Sequence, residues 1–295
     1  MGRALWAAAL LAATGFVATA RADDDEAPSS DPYYRLDTKN LFGSLEGSDV
    51  GDAGDRSIEM ETTASLFKAF GRYAFVGQDA VYETTLTPRF DNEFGVHGLA
   101  QSIHGTPGVS DYSGVDFSGL TDEMRYVLSP RSGPWSVQAT VTVMPQWTRV
   151  FEGGARGQDF ALPLLFIVDA QPIARRLYAA LNLTYTPEIQ RVDGAAWTQT
   201  SDFSASGALS WRLTPAAMIG AEADVVNQFD GLAGQSWQGS ALFLGPTFHY
   251  QVNDKLDFSG AFTQQVAGRA RGVSGALDLA DFTRSSATFR VEIEF

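Results

Sequence analysis

The sequence predicts an all-β fold: an antiparallel, up-and-down transmembrane β-barrel of about twelve strands, with short periplasmic turns and longer extracellular loops. Three observations carry that expectation. From Ser57 to Phe295, apolar and polar residues alternate with the strand period of two in segment after segment. Most of these segments run 10–14 residues, whereas globular strands average about five or six and a tilted membrane strand needs about 9–11. The connections between them alternate short and long, which places tight turns on one rim and loops on the other.

The elements follow in chain order. Arg3, the run Ala4–Ala13 and the small residues Ala20-Arg21-Ala22 form a charged start, an apolar middle and an A-x-A site, the pattern of a secretory signal peptide. Residues 1–22 are therefore expected to be removed on export, with cleavage after Ala20 as the alternative. The composition is acidic, with 21 basic and 35 acidic residues and a net charge of −14, so nucleic acid is not an expected partner. No later apolar run reaches the roughly 18 residues of a spanning helix. Residues 23–56 are acidic and punctuated by Gly, Ser and Pro, and are expected to be a flexible periplasmic segment. Asp49, Asp52 and Asp55 within it are spaced by three, not by two as in an EF-hand loop, and no metal site is expected there.

The barrel is expected over 57–295, with strands near 57–67, 81–90, 93–104, 117–128, 135–147, 159–169, 175–187, 198–212, 217–227, 239–252, 255–267 and 282–295. The last shows the pattern best. Ala287, Phe289, Val291, Ile293 and Phe295 share one face, while Thr288, Arg290, Glu292 and Glu294 share the other. Ala161–Val168 is apolar on both faces, and Phe94–Ile103 has little contrast between its faces. Trp135, Trp197, Trp211, Tyr126, Tyr185 and Tyr250 stand near strand ends, where an interfacial aromatic belt belongs. Hairpins recur about every forty residues, a period shared with propeller blades, but a blade needs four short strands per unit and each unit here holds two long ones. A soluble barrel would use the same alternation turned inside out, normally with eight shorter strands.

The polar parity gathers Glu59, Glu61, Glu83, Arg89, Glu123, Arg125, Asp202, Glu222, Asp224, His249, Asp257, Arg290, Glu292 and Glu294, ten acids against three arginines. If water fills the barrel, such a wall favours cations; if the acids pair with Arg89, Arg125 and Arg290, they close it instead. Twelve strands lie between side-chain-filled and open barrels, and both outcomes stand. No catalytic residue is assigned. His97, His104 and His249 have no motif partner, there is no G-x-S-x-G, and cysteine is absent. Neither cofactor nor metal is expected.

Phe289, Val291, Ile293 and terminal Phe295 resemble the sorting signal read by the outer-membrane assembly machinery of Gram-negative bacteria. More broadly, Glu46-Gly47-Ser48-Asp49-Val50-Gly51 and Gln265-Val266-Ala267-Gly268-Arg269-Ala270 resemble segments of uncharacterised proteobacterial outer-membrane barrels, some grouped with porin-like transporters of aromatic-degradation pathways. That resemblance implies an outer-membrane location, with lipid and the assembly machinery as partners. It implies a porin-like passive channel for small solutes, with a non-conducting structural or partner-binding barrel as the alternative.

Overall fold

The structure, a computed structural model, describes residues 37–295. The expected leader and the first part of the acidic segment lie outside the described residues. Twelve strands follow in chain order: β1 (Arg56–Leu66), β2 (Arg72–Thr87), β3 (Phe90–His104), β4 (Tyr112–Ser132), β5 (Val137–Val143 and Gln146–Val150), β6 (Arg156–Ala161 and Leu164–Ile173), β7 (Leu177–Val192), β8 (Thr198–Arg212), β9 (Ala217–Asp230), β10 (Ser236–Asn253), β11 (Leu256–Ala270) and β12 (Ser285–Glu294). Each pairs antiparallel with its sequence neighbours. β12 closes on β1, from Glu294 opposite Ser57 to Ser285 opposite Leu66. Closure leaves no sheet edge, which a strand structure in lipid requires because acyl chains offer no hydrogen bonds.

β5 and β6 are interrupted where the sequence reading took 135–147 and 159–169 as continuous. The breaks fall at Pro145 and Pro163, which lack the N–H that a ladder needs. Carbonyls keep the wall joined. The Asp122 N–H donates to Pro145 at 3.1 Å, Met144 to Pro163 at 3.0 Å and Leu162 to Pro187 at 3.0 Å. The strands also run further into the expected loops. Loops 67–71, 193–197 and 231–235 are short, and only 271–284 is long. Turns 88–89, 133–136, 174–176, 213–216 and 254–255 form the other rim, together with Arg56 and Phe295.

The faces are sorted as the period-two pattern requires. Tyr82, Phe94, Leu181, Leu209, Phe248 and Phe289 are exposed on the outside, while Glu123, Arg125, Thr140, Asp169 and Ser210 are buried inside. A soluble barrel would reverse this, and Phe248 and Phe289 at 42% and 41% exposure exclude that arrangement. Tyr126, Trp135, Trp211 and Tyr250 are exposed toward the short-turn rim, where Tyr82 also meets Phe295 at 6.5 Å. Trp197 marks the opposite rim, 6.4 Å from Phe160 and under the Arg191 guanidinium. Tyr185 is not at a strand end, because β7 continues to Val192. Asp122 is an outward exception beside the Pro145 break, and the Asn92 side chain donates to it at 2.7 Å.

An outward charge at mid-strand should destabilise the barrel. Phe289→Arg is expected to lower unfolding free energy in lipid vesicles by about 2–4 kcal/mol, with Phe289→Leu nearly neutral. Urea titration followed by tryptophan fluorescence measures both.

Candidate functional site

Residues 37–55 fold back into the barrel from the short-turn rim. This stretch belongs to the segment 23–56 expected to be flexible, and here it packs against the wall. Thr38, Lys39, Asn40, Leu41, Phe42, Leu45 and Ser48 are all buried. The stretch is a compact double turn: Leu41 N–H donates to Thr38 at 3.1 Å, Phe42 bridges Leu45, and Gly47 N–H donates to Lys39 at 2.8 Å. Gly43 sits at the tip with φ +80°, a left-handed conformation that favours glycine. A side chain there would also run into Thr247 and Glu222. Leu41, Phe42 and Leu45 form a small apolar cluster with Tyr178, Ala180, Ala208 and Met218 of β7, β8 and β9.

Polar contacts tie this plug to most of the wall. Asp169 on β6 accepts from Thr38 Oγ1 at 2.5 Å, from the Ser48 N–H and Oγ at 2.8 Å each, and from Arg131 Nη1 at 2.5 Å. Arg131 Nε also donates to Asp49 at 3.0 Å. Arg125, with 0% of its side chain exposed, binds Glu46 and Glu123 and donates to the Gly47 carbonyl at 3.1 Å. Lys39 Nζ lies between Glu83 at 2.5 Å and Glu93 at 2.6 Å. Asn40 Nδ2 donates to Glu59 and Glu292 at 2.8 Å each, and the Ser44 Oγ to Glu222 at 2.7 Å. Arg290 holds Glu61 and lies 3.8 Å from Glu59. Thr140 and Gln138 each donate to the Ser48 carbonyl at 2.7 Å. These groups occur along the short-turn halves of their strands, so the plug occupies that half of the lumen.

Nearer the loop rim the 151–155 connection turns inward. Gln101 Nε2 donates to the Phe151 carbonyl at 2.9 Å, the Gly153 N–H returns a bond to Gln101 Oε1 at 2.9 Å, and the Tyr73 hydroxyl donates to Glu152 at 2.5 Å. Between this loop and the plug, the inward parity carries Asp159, Glu188, Asp202 and Asp224, all partly exposed. Asp79 shares this level and meets His97 Nδ1 at 2.5 Å.

The predicted inward residues therefore divide. Glu59, Glu61, Glu83, Glu123, Arg125, Glu222, Arg290 and Glu292 contact the plug or the ion pairs around it. His249 is buried, with Nε2 3.7 Å from Asp257. Asp202 and Asp224 face the lumen beyond the plug, and Asp224 accepts from Ser206 at 2.6 Å. Glu294 is exposed at the rim. Arg89 is a correction: it occupies the two-residue turn between β2 and β3, because β2 ends at Thr87, and it is exposed rather than inward. Sequence reasoning missed Lys39, Asn40, Glu46, Glu93, Arg131, Asp159, Asp169 and Glu188. The polar run from Glu46 to Gly51 has the composition of solvated coil as much as of a plug, and gives no separate signal for it.

Removing the Asp169 carboxylate leaves the buried Ser48 N–H without its acceptor and Arg131 with Asp49 alone, and a buried donor left unsatisfied costs about 1–3 kcal/mol. Asp169→Ala is expected to loosen the plug and not the barrel. With no native cysteine to interfere, a Leu41→Cys probe, at a position 1% exposed in the docked plug, should react with maleimide at least tenfold faster in the Asp169→Ala background. Heat-modifiable electrophoretic mobility should be unchanged.

The fold is that of an outer-membrane β-barrel. The outer membrane channel of the COG4313 group from Pseudomonas putida F1 superposes with a TM-score of 0.56 at 12% identity, covering 84% of this chain and 98% of that one. The NanC porin and the KdgM porin give TM-scores of 0.47 and 0.46 at 6% and 10% identity, each covering 81% of this chain and 98% and 99% of theirs. No curated protein matches in sequence. A barrel with apolar outside and polar inside is thus placed among the outer-membrane barrels by its fold, while sequence relationship comes from residues 35–295, a range that takes in the plug together with the barrel: over it the chain belongs to a family of unknown function, DUF6662.

Proposed function

We propose that the protein is a passive outer-membrane conduit for small, preferentially cationic solutes, held shut at its periplasmic half by residues 37–55. The observation that carries this reading is the composition of the contact between plug and wall. It is mostly hydrogen bonds and ion pairs, with only Leu41, Phe42 and Leu45 apolar. Water and counterions can take over contacts of that kind once the segment leaves, so the plug is held by polar pairing and not by a hydrophobic core. The inward acids beyond it, Asp159, Glu188, Asp202 and Asp224, supply the bias toward cations. The same contact supports a second reading, a permanently closed barrel that serves a structural or partner-binding role.

Planar-bilayer recording separates the two. Deleting 37–55 is expected to raise single-channel conductance several-fold over the intact chain, whereas a deletion variant that folds and stays silent supports the closed barrel. In the conducting form, Asp159→Asn with Glu188→Gln and Asp202→Asn should lower the cation-to-anion permeability ratio by at least half. An unchanged ratio removes these residues from the selectivity argument. Glu59, Glu61 and Glu292 are expected to matter less in the intact chain, because Asn40 and Arg290 already engage them.

We also propose that the outward row Phe289, Val291, Ile293 and Phe295 is the signal read by the assembly machinery. Removing Phe295 from the gene should reduce the folded, membrane-extracted fraction of the protein relative to the full chain, at equal expression.

A further inference from the structure

We infer that Glu83, Asp91 and Glu93 form a calcium-type divalent cation site, and that the ion competes there with the Lys39 ammonium of the plug. Sequence reasoning expected no metal, because the three carboxylates meet only through strand register. Glu83 on β2 is directly opposite Glu93 on β3, Asp91 is two residues from Glu93 on the same face, and Thr85 lies opposite Asp91. Oxygen atoms of the three carboxylates lie within 4.8 Å of one another. An ion with bonds of about 2.3–2.6 Å spans that separation. Glu123 extends the row on β4, opposite Glu93. Like charges placed opposite one another weaken a sheet, so three adjacent strands carrying glutamate at one level need a cation.

The cations present do not suffice. Glu46, Glu83, Asp91, Glu93 and Glu123 face Lys39 and Arg125. Lys39 takes Glu83 and Glu93, and Arg125 takes Glu46 and Glu123. Asp91 is left over. It is 0% exposed, and neither of its carboxylate oxygens has a hydrogen-bond partner among the described residues. A buried carboxylate without donors is among the costliest groups a fold holds, and each such group asks for a ligand. The donor set names its class. It is all carboxylate oxygen with no imidazole or thiolate, which suits a hard cation with flexible coordination and not zinc or copper. A cleft at the short-turn rim, lined by Asp37, Lys39, Arg56, Ser57, Glu83 and Glu294, leads from outside to the ammonium and to Glu83.

An ion that takes Glu83 and Glu93 must displace Lys39, and Lys39 belongs to the plug. Calcium and plug docking are then antagonistic by linkage, each weakening the other by the same factor. The inference rests on the position of residues 37–55 and not on conduction, and binding is read whether or not the barrel conducts. The test is isothermal titration of chelator-treated, full-chain barrel in detergent with calcium chloride, magnesium chloride serving as the comparison. Lys39→Met is expected to bind one calcium at least tenfold more tightly than wild type. Adding Asp91→Asn to Lys39→Met should weaken it at least tenfold, and Glu93→Gln should do the same, with heat-modifiable mobility reporting that each variant folds. Absence of saturable binding in Lys39→Met overturns the site, as does binding that survives both carboxylate changes in folded protein. Equal affinity in wild type and Lys39→Met overturns the competition. In the Leu41→Cys probe, calcium should speed maleimide labelling of the otherwise wild-type chain and leave it unchanged when Asp91→Asn is present.

Discussion

The barrel depends on charge compensation inside its wall. Arg125 and Arg290 are buried among inward carboxylates, and each reaches into residues 37–55 as well as across the sheet. Without that segment, Glu46 no longer meets Arg125 and Lys39 no longer separates Glu83 from Glu93. Water would have to replace both. The plug is therefore not an appendage on a finished barrel. It supplies half of the charge pairing in the lower lumen, and a barrel sequence with this many inward acids is matched to its presence.

This division sets what each layer of the wall does. On the outside, apolar residues and a closed hydrogen-bond ladder satisfy the membrane. In the short-turn half, the wall is a receptor for its own N-terminal segment. In the loop half, the inturned 151–155 connection and the acids at Asp159, Glu188 and Asp202 face solvent-accessible space. Pro145 and Pro163 occur in two adjacent strands, where they break pairing in the wall without opening it.

The fold was legible because its physics is periodic. A strand with Phe289, Val291 and Ile293 on one side and Arg290 and Glu292 on the other has only one way to face lipid, and the structure bears this out. Boundaries were less legible. Pro145 stands near the end of an alternating segment and Pro163 within a run apolar on both faces, so period alone hides the breaks, and Arg89 kept strand parity while belonging to a turn. The plug was illegible for a different reason. Solvated coil and a segment bonded to a polar wall have the same composition, since both need Ser, Asn, Asp and Gly. What distinguishes them is the wall, and Glu93 and Asp169 lay in the strands with the weakest contrast. Convergence of Glu83, Asp91 and Glu93 required knowing which residues pair across strands.

Chain order adds a consequence for biogenesis. The plug runs directly into β1, and β1 pairs with β12, the last of the twelve strands in chain order. Asn40 touches Glu59 of the one and Glu292 of the other. The seam and the N-terminal stretch thus share one contact residue, and the position of each helps to fix the other. A nascent cylinder that sealed early would shut its own stopper outside, and the polar side chains flanking the seam would retain a water-filled gap in place of their proper ligands.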